Sequence, residues 1–137
     1  MSDNIYSSPN SDVMKNDEEP ISLSTKEILF SFKGRIGRKS YWLSMLGMMV
    51  VTAIFMFIVV SMGVEGSGLQ IPIVLILYIP LMWISLAIQI KRWHDRDKSG
   101  WFVLVSFIPV IGAIWAFIEN GCLAGSDGVN RYGPPQI

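Results

Sequence analysis

The chain has 137 residues, 51% of them hydrophobic, and a mean hydropathy of +0.44. A soluble domain of this length does not need so much apolar surface for its core, so the excess must face something other than water. Eleven basic and eleven acidic side chains give a formal net charge of zero, which gives nucleic-acid binding no support. The single cysteine and the single histidine exclude an intrachain disulfide and a His/Cys metal cage, and no metal or cofactor is predicted.

Residues 1–22 are predicted to form a disordered polar tail, ahead of a helical membrane domain at 23–137. The first 20 positions are rich in Ser, Asn, Asp, Glu and Pro, so they cannot bury enough apolar surface to offset the entropy lost on ordering. A cleavable signal peptide would begin with a basic stretch and an apolar run. This tail is acidic instead and does not have that pattern.

Residues 23–32 are predicted to form a short helix. Ser24 and Glu27 have the spacing of a capping box, in which each side chain binds a free backbone N–H of the first turn. Leu23 and Ile28 have the spacing of a hydrophobic staple. The helix is too short to cross a bilayer, so we expect it to lie in the headgroup plane.

Two uncharged runs, at about 41–62 and 69–90, are long enough to span a membrane. About 20 helical residues cross a hydrocarbon core of ~30 Å. Tyr41 and Trp42 begin the first run, at a position where amphipathic aromatic residues favour the membrane interface. A glycine-rich turn at 63–68 joins the two runs.

A third uncharged run, at about 101–118, is interrupted by Pro109 and Gly112. It is predicted either to span as a kinked helix or to break into two half-helices that enter and leave on one side. The fold predicted from the sequence is therefore an all-α membrane protein with about three transmembrane helices, the third spanning or re-entrant, and a short N-terminal interfacial helix.

The basic residues set the predicted orientation. Eight of the eleven Lys and Arg lie in two clusters, at 33–39 and 91–98, whereas the turn at 63–68 has none. Because cytoplasmic loops carry the excess of Lys and Arg, the N-terminus and the 91–100 loop are predicted to be cytoplasmic. The C-terminus would be external after three spans and cytoplasmic after a re-entrant segment.

Three motifs stand in order along the chain and carry a family resemblance. Residues 32–42 read FKGRIGRKSYW, residues 91–101 read KRWHDRDKSGW, and residues 125–134 read GSDGVNRYGP. Together they resemble the bacterial membrane family called domain of unknown function 805, over roughly residues 28–135. Two positions depart from the family pattern, Lys91 where Arg is usual and Trp93 where Leu is usual. The resemblance implies a small protein of the bacterial inner membrane and implies no catalytic reaction.

Seven polar residues in these motifs are candidates for an anion or lipid-headgroup site. Arginine binds carboxylate and phosphate groups in a bidentate manner, and a re-entrant third segment would bring all three motifs to one face. The alternative is that the cations only set the membrane topology and attract anionic lipids. Each cation would then contribute about 1 kcal/mol to the attraction between the protein and the membrane surface. The candidates are Arg35, Arg38, Arg92, His94, Asp95, Arg96 and Arg131.

These observations predict a small, multi-pass inner-membrane protein that binds membrane lipids or a partner protein through a basic cytoplasmic face. The partner would be another membrane protein or further copies of the chain. One alternative is a subunit of an oligomeric transporter or channel, with Glu119 beside the path. A second is a membrane enzyme that acts on a lipid headgroup through His94 and Asp95. No catalytic motif is visible, so no catalytic residue is assigned.

Overall fold

The computed structural model describes residues 21–63 and 66–136. These residues form helices and connecting segments and contain no β-strand, only two isolated bridges, between Ile21 and Gln136 and between Asn130 and Gly133. The prediction of an all-α fold is therefore confirmed for this part of the chain. The predicted disordered tail falls almost entirely on residues 1–20, which lie outside the described residues.

The first helix, α1, covers Thr25–Phe30. The capping box is present, because Ser24 Oγ accepts from the Glu27 backbone N–H at 3.3 Å and Glu27 Oε2 accepts from the Ser24 N–H at 2.9 Å. Leu23 and Ile28 pack against a buried cluster that contains Ile36. The short helix is confirmed, and its position at the membrane interface stays a prediction.

Two long helices follow, α2 at Arg38–Ser61 and α3 at Gln70–Asp95. Both are long and apolar enough to cross a membrane. Only 6% of the most apolar stretch of α2 and 11% of that of α3 are buried within the chain. The apolar side chains of these helices are therefore not covered by the rest of the protein. A helix that is apolar on all sides is typical of a membrane span, where lipid surrounds it.

Helix α3 extends further than the sequence predicted. The predicted loop at 91–100 is a loop only from residue 96 to residue 99, because residues 91–95 continue α3 for more than one turn. The polar side chains of this extra turn, Lys91, Arg92 and Asp95, are buried. Buried charges are stable only when they are paired or hydrogen-bonded, and each of these has such partners, as described below.

The third apolar run does not form one continuous helix. It divides into a 3₁₀-helix at Gly100–Phe107 and an α-helix, α4, at Ile111–Phe117, followed by a π-helical turn at Ile118–Cys122. At ~2.0 Å per residue the 3₁₀-helix is only ~16 Å long, so neither piece can cross a core of ~30 Å. A third transmembrane helix is thus not found among the described residues.

The break has a local cause at Pro109 and Val110. The residue before a proline is pushed out of the helical region, and Ile108 accordingly has extended backbone, with ψ 118°. Val110 then takes φ 63° and ψ −67°, and the Ile111 N–H binds Pro109 O at 2.7 Å. This is the rare positive-φ form of the γ-turn, and it reverses the direction of the chain.

The two halves of the third run pack against each other and form a hairpin, which we define as residues 99–122. At Gly112 a Cβ atom would collide with the Val105 carbonyl oxygen, so only glycine permits this close approach. The hairpin begins next to His94 and returns to the same end of the helix pair, where Trp42 Nε1 donates to Gly121 O at 3.1 Å.

Candidate functional site

The three sequence motifs meet at one end of the molecule, in a region that we call the polar cap. It consists of residues 34–37 just before α2, residues 91–98 at and just after the end of α3, and residues 119–133 at and after the end of the hairpin. The hairpin makes this meeting possible, because it returns the chain to the end at which it started.

Asp95 lies at the centre of the polar cap and binds two arginines. Arg35 Nε donates to Asp95 Oδ1 at 3.1 Å, and Arg92 Nη1 donates to Asp95 Oδ2. All three residues are buried, at 2%, 0% and 4% exposed for Arg35, Arg92 and Asp95. One carboxylate cannot compensate two guanidinium groups alone, so the remaining donors need other partners.

Backbone carbonyls of the C-terminal segment supply those partners for Arg35. Its Nη1 donates to Gly128 O at 2.6 Å and to Gly133 O at 3.1 Å, and its Nη2 donates to Ser126 O at 2.6 Å. Arginine presents five donors in a fixed planar fork, which suits several carbonyls that converge from one loop. Arg35 therefore holds the last motif onto the first.

Arg92 connects α3 to the end of the hairpin. Its Nε donates to Asn120 O at 2.6 Å and its Nη2 to Leu123 O. Asn120 lies near the end of the π-helical turn Ile118–Cys122 and Leu123 follows it, so neither carbonyl has an acceptor role within a helix and both are free to accept from the guanidinium.

Lys91 connects α3 to α1. Its Nζ donates to Glu27 O and to Ile28 O, the latter at 2.6 Å. Glu27 O also accepts from the Ser31 N–H, whereas Ile28 O is one of the last carbonyls of the helix, which have no partner within it. The short α1 is thereby fixed to the polar cap.

The side chains of His94 and Asp95 bind separate partners, although the two residues are adjacent in sequence. His94 Nδ1 lies 3.3 Å from Gly34 O, and its ring stacks on Tyr132 with centroids 3.8 Å apart and an interplanar angle of 5°. The His94 backbone oxygen accepts from Asn130 Nδ2 at 2.8 Å. Among the described residues His94 forms no ion pair with a carboxylate.

Glu119 joins the end of the hairpin to the connection that follows α3. Its carboxylate accepts from Arg96 Nε at 3.1 Å and from Lys98 Nζ at 2.6 Å, and Trp115 Nε1 lies 3.4 Å away. Burial alone would raise the pKa of Glu119, but the hydrogen bonds from Lys98, Arg96 and Trp115 outweigh it and lower the pKa below its ordinary value of 4.5. The side chain is thus a structural anion in the folded state.

An outer ion pair joins Asp97 and Arg131, with Arg131 Nε 3.1 Å from Asp97 Oδ1. The hydrogen bond from the Arg131 side chain lowers the pKa of Asp97. Asp97 has φ 55°, a conformation that Asp tolerates better than most residues. The Arg131 side chain is 66% exposed and that of Asp97 44%, so the pair contributes less than the buried contacts around Asp95.

The structure brings six of the seven predicted site residues into the polar cap and places the seventh, Arg38, at its edge. Arg38 is exposed and makes one hydrogen bond, from Nη1 to Cys122 O at 3.3 Å. The others are engaged by protein groups, and anion binding by this set stays a prediction. Sequence reasoning did not identify the structural roles of Lys91 and Glu119, nor the carbonyl acceptors, because a backbone acceptor leaves no trace in residue identity.

Comparison with known proteins places the chain in a family. Residues 29–134 match the family described as "Protein of unknown function (DUF805)". The proteins named "Inner membrane protein YhaH" and "Inner membrane protein YhaI", both from Escherichia coli K12, are each 36% identical to this chain. The YhaH match covers 106 residues, which are 75% of this chain and 84% of YhaH. The YhaI match covers 111 residues, which are 81% of this chain and 90% of YhaI.

A third relative is more distant. "Uncharacterized protein YiiR" of the same organism is 27% identical over 136 residues, which cover 81% of this chain and 89% of YiiR. No solved structure matches the chain. The names of the first two relatives agree with the two apolar helices α2 and α3. The chain is therefore a membrane protein that belongs to the DUF805 family.

Proposed function

We propose that this protein is a two-span protein of the bacterial inner membrane whose cytoplasmic polar cap binds anionic lipid headgroups. In this hypothesis α2 and α3 cross the bilayer, and the hairpin enters and leaves the cytoplasmic leaflet. The short α1 lies at the cytoplasmic interface. The C-terminal motif is then cytoplasmic, together with the other two.

The distribution of cations supports this orientation. Every Lys and Arg of the described residues belongs to α1, to the segment between α1 and α2, to the first turn of α2 or to the polar cap, all at one end of the helix pair. The opposite end, between α2 and α3, has no Lys or Arg. The positive-inside rule assigns the cationic end to the cytoplasm, and the hairpin, which is too short to span, keeps both of its ends there.

One observation carries the lipid-binding proposal: four exposed cations surround the polar cap without a carboxylate partner. Lys26, Lys33, Arg38 and Lys39 are exposed and form no ion pair within the described residues. We call these four residues the rim. The cations inside the cap are already held by Asp95, Glu119 or carbonyl oxygens, so the rim is the part of the basic face that is available to anions.

The expected strength follows from the number of rim cations. A Lys or Arg near an anionic membrane surface contributes about 1 kcal/mol to binding. Removing two of them should weaken the affinity for an anionic lipid by about 25-fold, since 1.4 kcal/mol is a factor of ten. The contribution should also fall as salt rises, because the rim is exposed.

The test is a titration of phosphatidylglycerol into the full chain in neutral detergent, followed by native mass spectrometry. The variant K33Q/K39Q should lose affinity for phosphatidylglycerol, whereas phosphatidylcholine should bind both proteins equally weakly. R131Q is the matched control, because Arg131 is exposed but already paired with Asp97. Equal phosphatidylglycerol affinity in K33Q/K39Q and wild type would refute the proposal.

No observation favours either of the other functions. Glu119, which a transport path would use, is bound to Arg96 and Lys98. His94 and Asp95, which an enzyme would use together, bind separate partners. Lipid binding at the rim is therefore the function that we take forward.

A further inference from the structure

A second apolar feature lies beside the polar cap and is not explained by the rim. A groove of about 560 Å³ runs between the cap-proximal half of α3 and the 3₁₀-helix of the hairpin. We call it the hairpin groove. Pockets for small ligands occupy roughly 300–1,000 Å³, so its volume is sufficient for one. Eleven residues line it, among them Ile90, His94, Ser99, Leu104, Phe107 and Tyr132.

The hairpin groove has a polar end and an apolar end. His94, Ser99 and Tyr132 lie where the groove meets the polar cap, and Leu104 and Phe107 lie towards the tip of the hairpin. The 3₁₀-helix between these ends is ~16 Å long, which is about one leaflet of a ~30 Å hydrocarbon core. A lipid in one leaflet has about the same length as the groove, and it likewise has one polar end and one apolar end.

Gly100 opens the polar end towards the groove. A Cβ atom there would lie 3.3 Å from His94 Nε2 and 2.8 Å from Ile90 Cγ2, so any side chain would crowd the space in front of the imidazole. When Nδ1 donates to Gly34 O, the neutral ring presents Nε2 as an acceptor. No hydrogen bond to Nε2 is formed within the described residues.

The charge of the groove restricts what it can hold. None of its eleven lining residues is Lys, Arg, Asp or Glu, and the nearby Lys98 is engaged by Glu119. An anionic headgroup would find no counter-charge there, and burying an unpaired charge is costly. An uncharged headgroup that carries a hydroxyl donor would instead complement the acceptor nitrogen.

We propose that the hairpin groove binds a diacylglycerol-type lipid, with its acyl chain along the 3₁₀-helix and its free hydroxyl donating to His94 Nε2. The site rests on the membrane placement given in the proposed function, but it does not depend on the rim. The two sites differ in selectivity, because the rim selects negative charge and the groove selects an uncharged hydroxyl.

The experiment uses the full chain in phosphatidylcholine vesicles that contain a diacylglycerol with a diazirine in its acyl chain. After photolysis, mass spectrometry maps the labelled peptides. Labelling should concentrate in residues 99–107. Excess unlabelled diacylglycerol should remove it, and excess phosphatidylglycerol should not.

Two variants test the two ends of the groove. L104W fills the apolar end and should reduce labelling to background, whereas I108W adds the same bulk to a neighbouring exposed residue outside the lining and should not. H94F keeps an aromatic ring against Tyr132 but removes the acceptor. Loss of one hydrogen bond of about 1 kcal/mol should weaken competition by unlabelled diacylglycerol about five-fold. Thermal unfolding in detergent identifies any variant that has lost its fold.

The outcomes separate this inference from the proposed function. Labelling that L104W leaves unchanged, or that phosphatidylglycerol competes away equally well, would overturn the groove proposal. Unchanged competition in folded H94F would overturn the assignment of the headgroup. Groove labelling that persists in K33Q/K39Q is expected, because the rim is a separate site. Failure of rim binding would leave that result intact.

Discussion

Arg35 and Asp95 are 60 positions apart in sequence, yet Arg35 Nε donates directly to Asp95 Oδ1 at 3.1 Å in a site from which water is almost fully excluded. The contact joins the segment before α2 to the end of α3. Because Asp95 also binds Arg92, a single carboxylate organises two of the three motifs.

We predict that D95N destabilises the protein strongly. The change leaves two buried guanidinium groups without their carboxylate, and breaking a buried ion pair from one side costs about 3–5 kcal/mol. The measurement is the free energy of unfolding in mild detergent. D127N is the control, because Asp127 is exposed at the edge of the same cap. A D95N protein as stable as D127N would show that Asp95 is not the organising residue.

A second prediction concerns Gly125, which lies against Asp95. A Cβ atom at Gly125 would collide with the Asp95 carboxylate, so G125A should displace the carboxylate from the arginines and lower the midpoint of thermal unfolding. G37A is the matched control, since a Cβ atom at Gly37 meets nothing within 4 Å. Equal midpoints for the two variants would contradict the close approach of these segments.

A third prediction tests the hairpin. G112A should separate α4 from the 3₁₀-helix, because its Cβ atom would collide with Val105 O. Protease resistance of the hairpin should fall in this variant. The control is G47A, which lies in open space on α2 and should be neutral or stabilising by up to about 1 kcal/mol. Intact resistance in G112A would argue against the packed hairpin.

The pH dependence of stability provides a fourth prediction through Glu119. Its folded-state pKa is lowered below 4.5, so its contribution is fully present above that pH and is lost as pH falls through the folded-state pKa. E119Q should therefore be less stable than wild type at pH 7, by about 1–3 kcal/mol for lost charge-assisted hydrogen bonds. The difference should vanish in acid. A difference that stayed constant down to pH 3 would exclude the linkage.

The proposed topology provides a fifth prediction. In a C122S background, single cysteines at positions 67, 99 and 126 should differ in their reaction with a membrane-impermeant thiol reagent applied to intact cells. Only position 67 should react, because the hairpin returns residues 119–133 to the side of position 99. Reaction at both 67 and 126 would instead mean that the third run spans.

Much of the fold could be predicted from the sequence, because its signals are local. The capping box at Ser24 and Glu27 and the uncharged runs of α2 and α3 depend on neighbouring residues, and the structure contains these helices. The third run was ambiguous because length and hydropathy alone do not distinguish a kinked span from a hairpin. In the structure the γ-turn at Val110 makes the third run a hairpin. Nothing in the composition of the run indicates a positive φ at a β-branched residue.

The sequence predicts which residues form the candidate site, but it does not predict which groups they bind. The motif resemblance identified Arg35, Arg92 and Asp95, and the structure brings them together. What the sequence could not reveal is that their partners are largely carbonyl oxygens, such as those of Ser126 and Gly128. The sequence also made Arg35 and Arg92 candidates for an anion or lipid-headgroup site, whereas their guanidinium groups are buried and bound by protein groups.

The carbonyls that bind Arg35 have a consequence for how the protein is made. Arg35 precedes α2, but its acceptors at 126, 128 and 133 lie 91, 93 and 98 positions later in the chain, after both α2 and α3. During translation the arginine therefore remains without these partners until both helices have left the ribosome. The polar cap is then completed only after both helices have been made, and a chain that stalls or is cut before residue 126 would keep Arg35 without these carbonyl acceptors.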